Sequence, residues 1–262
     1  MSKVEFSDVT LTYPGRDGRQ DVHALRGLNL RVEPGESVAI IGPSGCGKSS
    51  TLLMAAGLLR PTSGAVLVDG TPVERERRQT ALILQGQSLL PWKTVERNVE
   101  LGLLLRHVPR QERRRRVSWA LEQVDLTDFA RVYPAELSGG MAQRAAIARS
   151  LALDCDLLMM DEPLSALDAL LREQIQDVML RLWRERAYAQ IIVTHSIEEA
   201  AFLGQRVVVM APRPGRVVDV IDNPGMGEAG YRSSSEFFGL CTRLRAALQA
   251  SMEAGGARHE RD

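Results

Sequence analysis

Several things are scarce in this chain of 262 residues, and each scarcity removes a class of explanation. There are three cysteines, Cys46, Cys155 and Cys241, odd in number and widely spaced, so reduced thiols are expected and no disulfide framework is. No apolar run approaches the roughly 18 residues that cross a bilayer. The opening MSKVEFSDVTLTYPG alternates polar and apolar residues and lacks the continuous apolar core of a signal peptide. Net charge is also missing: 33 basic residues face 33 acidic ones, which argues against attachment to nucleic acid by a global positive field. Lysine is the rarest absence, because only Lys3, Lys48 and Lys93 stand among the 33 basic residues. What is present is ordinary for a globular chain, with 44% hydrophobic and 25% charged residues. A chain of this length buries about three quarters of its unfolded surface, enough for one large domain or two small ones without staples.

Hydrophobic periodicity divides the chain. Val4, Phe6, Val9, Leu11 and Tyr13 roughly alternate with polar residues, and Leu25, Leu28, Leu30 and Val32 follow, so the first 40 residues read as strands. Ser37–Ile41 is short, β-branched and apolar, as a strand buried on both faces must be. A glycine-rich loop leads from it into an apolar helical stretch over Thr51–Leu59, and Ala65–Val68 and Thr80–Leu84 read as further strands. From about 94 to 152 the spacing becomes helical, through Val95, Val99, Leu103 and Leu104 and then Val117, Leu121 and Val124. The run Arg113–Arg116 reads as a solvated helix face, with lipid headgroups or a partner as the lesser reading. Strands return at Leu157–Met160, Gln190–Thr194 and Val207–Met210, with a long helix expected over Leu164–Arg186. This βαβ punctuation predicts a mainly parallel sheet with crossover helices. Val217–Ile221 reads as an edge strand, and Phe237, Leu240, Leu244 and Leu248 form one stripe of a tail helix whose last dozen residues look frayed.

Gly42-Pro43-Ser44-Gly45-Cys46-Gly47-Lys48-Ser49 fits G-x-x-x-x-G-K-[ST], directly after a buried strand and before a helix. Its glycines let successive N–H groups turn inward as a nest for phosphate oxygens, and the helix start adds partial positive charge. Lys48 reaches the β- and γ-phosphates as a point charge, where arginine's planar fork fits poorly, and Ser49 offers a hydroxyl to Mg²⁺. Strand Leu157–Met160 then delivers Asp161 and Glu162 at its C-terminal end, where open α/β sheets gather ligands. Asp161 is expected in the Mg²⁺ shell and Glu162 at the attacking water, which is ATPase chemistry. A second nest, Ser138-Gly139-Gly140, opens the helix containing Ala145–Leu151. One chain has no need of two phosphate nests, so the second is expected to close on a nucleotide held by another subunit.

With these motifs in this order, the chain resembles the ATP-binding-cassette (ABC) ATPase family from about residue 3 to 222. Leu137–Met141 resembles the family signature, LLMMDEP its second nucleotide motif, and Ser165-Ala166-Leu167-Asp168 the loop that crosses the dimer seam. The resemblance implies roles for single residues. His195 would contact the γ-phosphate, Gln85 would sense Mg²⁺ and the attacking water, Tyr13 would stack on adenine, and Ser50 would complete the phosphate site. It implies an α/β fold: a P-loop NTPase with a RecA-like, mainly parallel core, an N-terminal antiparallel β subdomain and an inserted α-helical subdomain. The domain would span 1–222, with helices at about 86–152 and a tail at 223–262. Met141, Leu84 and Leu164 depart from the commoner Gln, Phe and Phe of the family, changes that touch packing more than chemistry.

Leu89-Leu90-Pro91-Trp92, Thr94-Val95, Asn98-Val99 and Arg213-Pro214-Gly215-Arg216 are similar to importer ATPases for nitrate, sulfonates and taurine. That similarity implies ATP and Mg²⁺ as ligands, and a second copy in a head-to-tail ATP sandwich. It further implies a separate permease docking near Gln85–Leu105, a solute-binding protein beyond it, no nucleic acid, and a peripheral place on the cytoplasmic face of the membrane. An exporter or lipid-trafficking ATPase keeps the same motifs. A soluble ABC ATPase acting on DNA is disfavoured, because only about 95 residues, without sustained heptads, separate the phosphate loop from the signature.

Overall fold

The computed structural model describes residues 2–15, 20–86 and 89–259, with side chains to Glu253. The chain forms two compact units, one of Met1–Arg77 with Ala187–Asp262 and one of Arg78–Arg186.

In the first unit, strands β1 (Val4–Tyr13), β2 (Val22–Val32), β4 (Ser63–Val68) and β5 (Thr71–Pro72) make an antiparallel sheet in the order β2-β1-β4-β5. Val4, Phe6, Val9 and Leu11 are buried, and the pairing with β2 shifts after Phe6 and again after Val9. Asp8, at φ 49°, is the irregular residue that keeps the apolar set on one face across the shift. Lys3 has a structural explanation: its ammonium lies 2.9–3.0 Å from both oxygens of Asp69, which Arg77 also engages at 2.9 Å. The slender lysine stem suits this buried approach better than a guanidinium fork.

The same unit holds β3 (Ser37–Ile41), with β8 (Ala189–Val193) parallel on one side and β9 (Arg206–Met210) parallel on the other. All residues of β3 and β8 are buried, as the continuous apolar runs predict for a sheet covered on both faces. β10 (Val217–Asp222) runs antiparallel to β9 and forms the edge. Helix α1 (Lys48–Ala55) follows β3, α6 (Ile197–Leu203) follows β8, and α7 (Ser235–His259) packs on α6 and β9. Asn223 fastens the tail: its amide donates to Ala201 and Gly204 carbonyls at 2.7 Å each, and its oxygen accepts from Tyr231.

The second unit has the parallel pair β6 (Thr80–Ile83) and β7 (Leu157–Asp161), in register Ile83 with Met160. Between them lie α2 (Val95–Leu105), α3 (Arg110–Gln123) and α4 (Gly139–Leu151), which pack on one another, and α5 (Ala169–Arg186) follows β7. Val95, Val99 and Leu103 supply the buried stripe of α2, and Thr94 caps it by accepting from Arg97 N. Asn98 is fully buried; its side chain donates to the carbonyls of Leu90, Lys93 and Thr94 and accepts from Leu90 N at 2.7 Å.

Some expectations shift. The first helix begins at Lys48 and ends at Ala55, because Gly57 turns the chain at φ 76° before Leu59. The helix expected from Leu164 starts only at Ala169, since 162–168 is a tight turn ending on Asp168, whose carboxylate accepts from Leu171 N at 3.1 Å. α6 is too short for its periodicity to stand out. α7 continues to His259, further than the frayed end expected, and residues 260–262 lie outside the described residues. The arginine run is not a simple solvated face. Arg113 is ion-paired to Glu100 at 2.8 Å with both side chains largely buried, and Arg115 and Arg116 close on Glu112 at 2.9 and 2.6 Å. Those two guanidiniums hold the Glu112 carboxyl down to about 2.

Candidate functional site

The phosphate loop leaves β3 after Ile41 and re-enters the fold at Gly47, the residue capping α1. Gly47 sits at φ 94°, and a Cβ there would lie 2.5 Å from the Leu25 side chain, so no other residue can make the turn. Gly45, at φ 76°, lies against the Arg213 guanidinium, whose Nε donates to the Gly45 carbonyl at 3.1 Å. Behind it, Gly215 N donates to Ala24 O at 2.9 Å and Gly215 O accepts from Arg26 N at 3.0 Å, so the Arg213–Gly215 segment is tied to β2. The loop is therefore braced on its outer side.

Lys48 is buried, with Nζ donating to the carbonyls of Gly42 at 2.8 Å and Pro43 at 3.1 Å. The ammonium is thus held in the curl of the loop, ready to exchange these carbonyls for stronger, charge-assisted phosphate contacts. Cys46 is fully buried, and burial pushes its thiol above its ordinary value although Lys48 pulls the other way. A reactive thiol in the loop is therefore not what Cys46 provides. Ser44 and Ser49 are exposed, and Ser50 Oγ lies 3.1 Å from the hydroxyl of Tyr13. Tyr13 is 40% exposed, an open aromatic face beside the loop and not a core side chain.

His195 follows β8, the parallel neighbour of β3, and Thr194 N donates to Ile40 O at 3.2 Å. His195 and the phosphate loop thus leave adjacent strands at the same end. The residues flanking His195 are fixed: Thr194 Oγ1 donates to Glu199 at 2.9 Å and accepts from Ser196 N, and Ser196 Oγ accepts from Glu199 N at 3.1 Å. His195 itself is exposed on this framework.

In the second unit, parallel pairing of β6 and β7 brings Gln85 and Glu162 out together, and Gln85 Nε2 lies 3.5 Å from Glu162 Oε2. Asp161 is buried at the strand end. Glu162 adopts φ 50°, a left-handed backbone that costs a non-glycine residue about 1–2 kcal/mol. Its carbonyl is held from two sides, by Gln143 Nε2 at 3.0 Å and Ser165 Oγ at 3.1 Å. Ser138 caps α4 by accepting from Met141 N at 3.3 Å, and Ser138, Gly139 and Asp168 are exposed on this unit. Motif and spacing assign no role to Gln143 or to Arg213. A buried amide on an otherwise alanine-rich helix is a visible signal for Gln143, whereas nothing local marks Arg213 as the brace of Gly45.

The loop of the first unit fits a triphosphate, with a glycine-walled curl, a buried ammonium and an open seryl hydroxyl. In the second unit, the Asp161 carboxylate is a hard oxygen donor of the kind Mg²⁺ accepts.

Residues 25–165 match the sequence profile of the ABC transporter family. The taurine import ATP-binding protein TauB of Chromobacterium violaceum is 42% identical over 253 residues, covering 94% of this chain and 95% of that protein. The nitrate import ATP-binding protein NrtD of Synechocystis is 42% identical over 214 residues, covering 82% of this chain and 80% of its own. Among solved structures, the dimeric post-hydrolysis state of the ATP-binding cassette MJ0796 bound to ADP and Pi superposes with a TM-score of 0.78. It is 33% identical and covers 85% of this chain and 100% of the other. With the phosphate loop, the Asp161–Glu162 strand end and this likeness together, the chain belongs to the ABC transporter family as one of its ATPases.

Proposed function

We propose that this ATPase drives uptake of a small anionic or zwitterionic solute of the taurine and nitrate kind through a separate permease, working as a head-to-tail pair. The relatives named as import proteins support the direction. The observation that carries the chemistry is the braced loop around Lys48, a glycine-walled cradle with an ammonium in its curl.

Lys48 and the loop 42–50 bind the triphosphate, and Tyr13 covers the adenine. Ser49, Asp161 and Gln85 would hold Mg²⁺, whose charge would offset that of the phosphates. Glu162 orients a water for in-line attack on the γ-phosphorus and takes its proton; the bond to the β,γ-bridging oxygen breaks, leaving ADP and phosphate. His195 steadies the γ-phosphate. Ser138, Gly139, Gly140 and Asp168 face the nucleotide of a second copy, a reading supported by the exposure of Ser138, Gly139 and Asp168 and by the dimeric likeness.

In this reading membrane contact goes through the permease; among the described residues no helix is long and apolar enough to cross a membrane. Its docking place is a groove of about 430 Å³ in the second unit, between Trp92, Lys93, Leu104 and Tyr133. Trp92 is 71% exposed there, a large aromatic anchor of the kind protein interfaces use. Lys93 lies on the same rim, which gives the third lysine a place facing a partner.

The test is Glu162→Gln. The variant is expected to bind ATP and elute as a dimer with ATP present, while turnover falls about 100-fold or more. Wild-type turnover in this variant removes Glu162 from the water; a monomer with ATP bound removes the paired reading.

A further inference from the structure

Glu162 has an awkward backbone and a demanding task, and one buried side chain touches both it and the turn beyond. Gln143, on the second turn of α4, is 8% exposed. Its Nε2 donates to the Glu162 carbonyl at 3.0 Å, and its Oε1 accepts from Ala166 N at 2.7 Å. Ser165 Oγ, between those two points, also donates to the Glu162 carbonyl at 3.1 Å and lies 3.5 Å from Gln143 Nε2. The amide therefore uses both its donor and its acceptor end on one turn, and neither bond is made to its own helix.

We propose that Gln143 is a positioning residue that ties the helix opened by Ser138-Gly139-Gly140 to the Glu162–Asp168 turn, so that the elements facing a second copy also set the place of the catalytic carboxylate. The inference rests on the ATPase reading of Glu162. A glutamine fits the position because its amide carries donor and acceptor on separate atoms, one for the Glu162 carbonyl and one for the N–H of Ala166 four residues later. The Glu162 carbonyl needs the contact. At φ 50° its peptide has left the strand ladder, and surrounding bonds must hold it there. A shift of α4 on engaging a partner's nucleotide pulls on both bonds at once, moving the carboxylate that follows from the same residue. Gln143 touches no phosphate in this scheme, so its loss should act on turnover and not on nucleotide binding.

The experiment uses three variants of the full chain, Gln143→Met, Gln143→Glu and Ser165→Ala, measured for kcat, ATP dissociation constant and thermal midpoint. Gln143→Met keeps the volume and removes both bonds; kcat is expected to fall about 10- to 100-fold, with the ATP dissociation constant within about twofold of wild type. Gln143→Glu keeps the acceptor for Ala166 N and loses the donor, so kcat should fall as far while the thermal midpoint stays nearer wild type. Ser165→Ala leaves Gln143 in place and should lose only severalfold in kcat. Wild-type kcat in Gln143→Met overturns the proposal, as does a loss of ATP affinity that accounts for the whole rate change. If Gln143→Met does not fold, Gln143→Glu decides alone, and undiminished kcat there is equally fatal. Failure of the Glu162 reading is separable, because it shows as turnover in Glu162→Gln whatever Gln143 does.

Discussion

The phosphate loop of the first unit and the Glu162 turn of the second are built by opposite means. The loop is a backbone object. Its shape comes from Gly47 at φ 94°, a carbonyl curl around Lys48, and the Arg213 brace on Gly45. The Glu162 turn is a side-chain object, a strained residue held by Gln143 and Ser165 from outside. Backbone cages are rigid and local, which suits binding a charge pattern that never changes. Side-chain ties can be loosened by movement of the element that carries them, which suits a step that must wait for a partner. On the proposed roles of Lys48 and Glu162, affinity and turnover rest on separable sets of bonds.

Lys48→Ala tests the comparison with the largest effect. Removing a buried ammonium from the phosphate site should weaken ATP binding about 100-fold or more, from a loss of around 3 kcal/mol in charge-assisted hydrogen bonds, read by nucleotide titration. Unchanged binding would break the contrast at its stronger side. Arg213→Ala is gentler because Arg213 braces the loop from an exposed position. We expect KM for ATP to rise about 2- to 5-fold at constant kcat, the worth of one solvent-accessible hydrogen bond. A fall in kcat alone would mean that the loop, too, governs turnover. The smallest effect concerns Cys46, whose buried thiol is held above its ordinary pKa. Since the thiolate is the reactive form, iodoacetamide at pH 8 should modify Cys46 no faster than the whole protein unfolds. Rapid modification would show that the cradle opens and is not preformed.

The same division explains what could be read in the sequence. The strands around Ser37–Ile41, the cradle, the Asp161–Glu162 strand end and His195 are local patterns, and each appears where its spacing predicted. The start of the 169–186 helix could not be read, because the apolar spacing from Leu164 onward does not reveal the left-handed step at Glu162. The arginine run looked solvated because Glu100 and Glu112, which neutralise it, sit on a different helix or in the preceding turn. Gln143 and Arg213 act on residues 19 and 168 positions away along the chain, distances at which periodicity carries no information.

Asn98 carries one more consequence. A single buried amide engages the backbone of Leu90, Lys93 and Thr94 from beneath, leaving the side chains of Trp92 and Lys93 on the rim. Frame and rim are thus free to vary independently. If the permease docks on this rim, its contacts can change through surface side chains alone, while the loop that presents them keeps its shape.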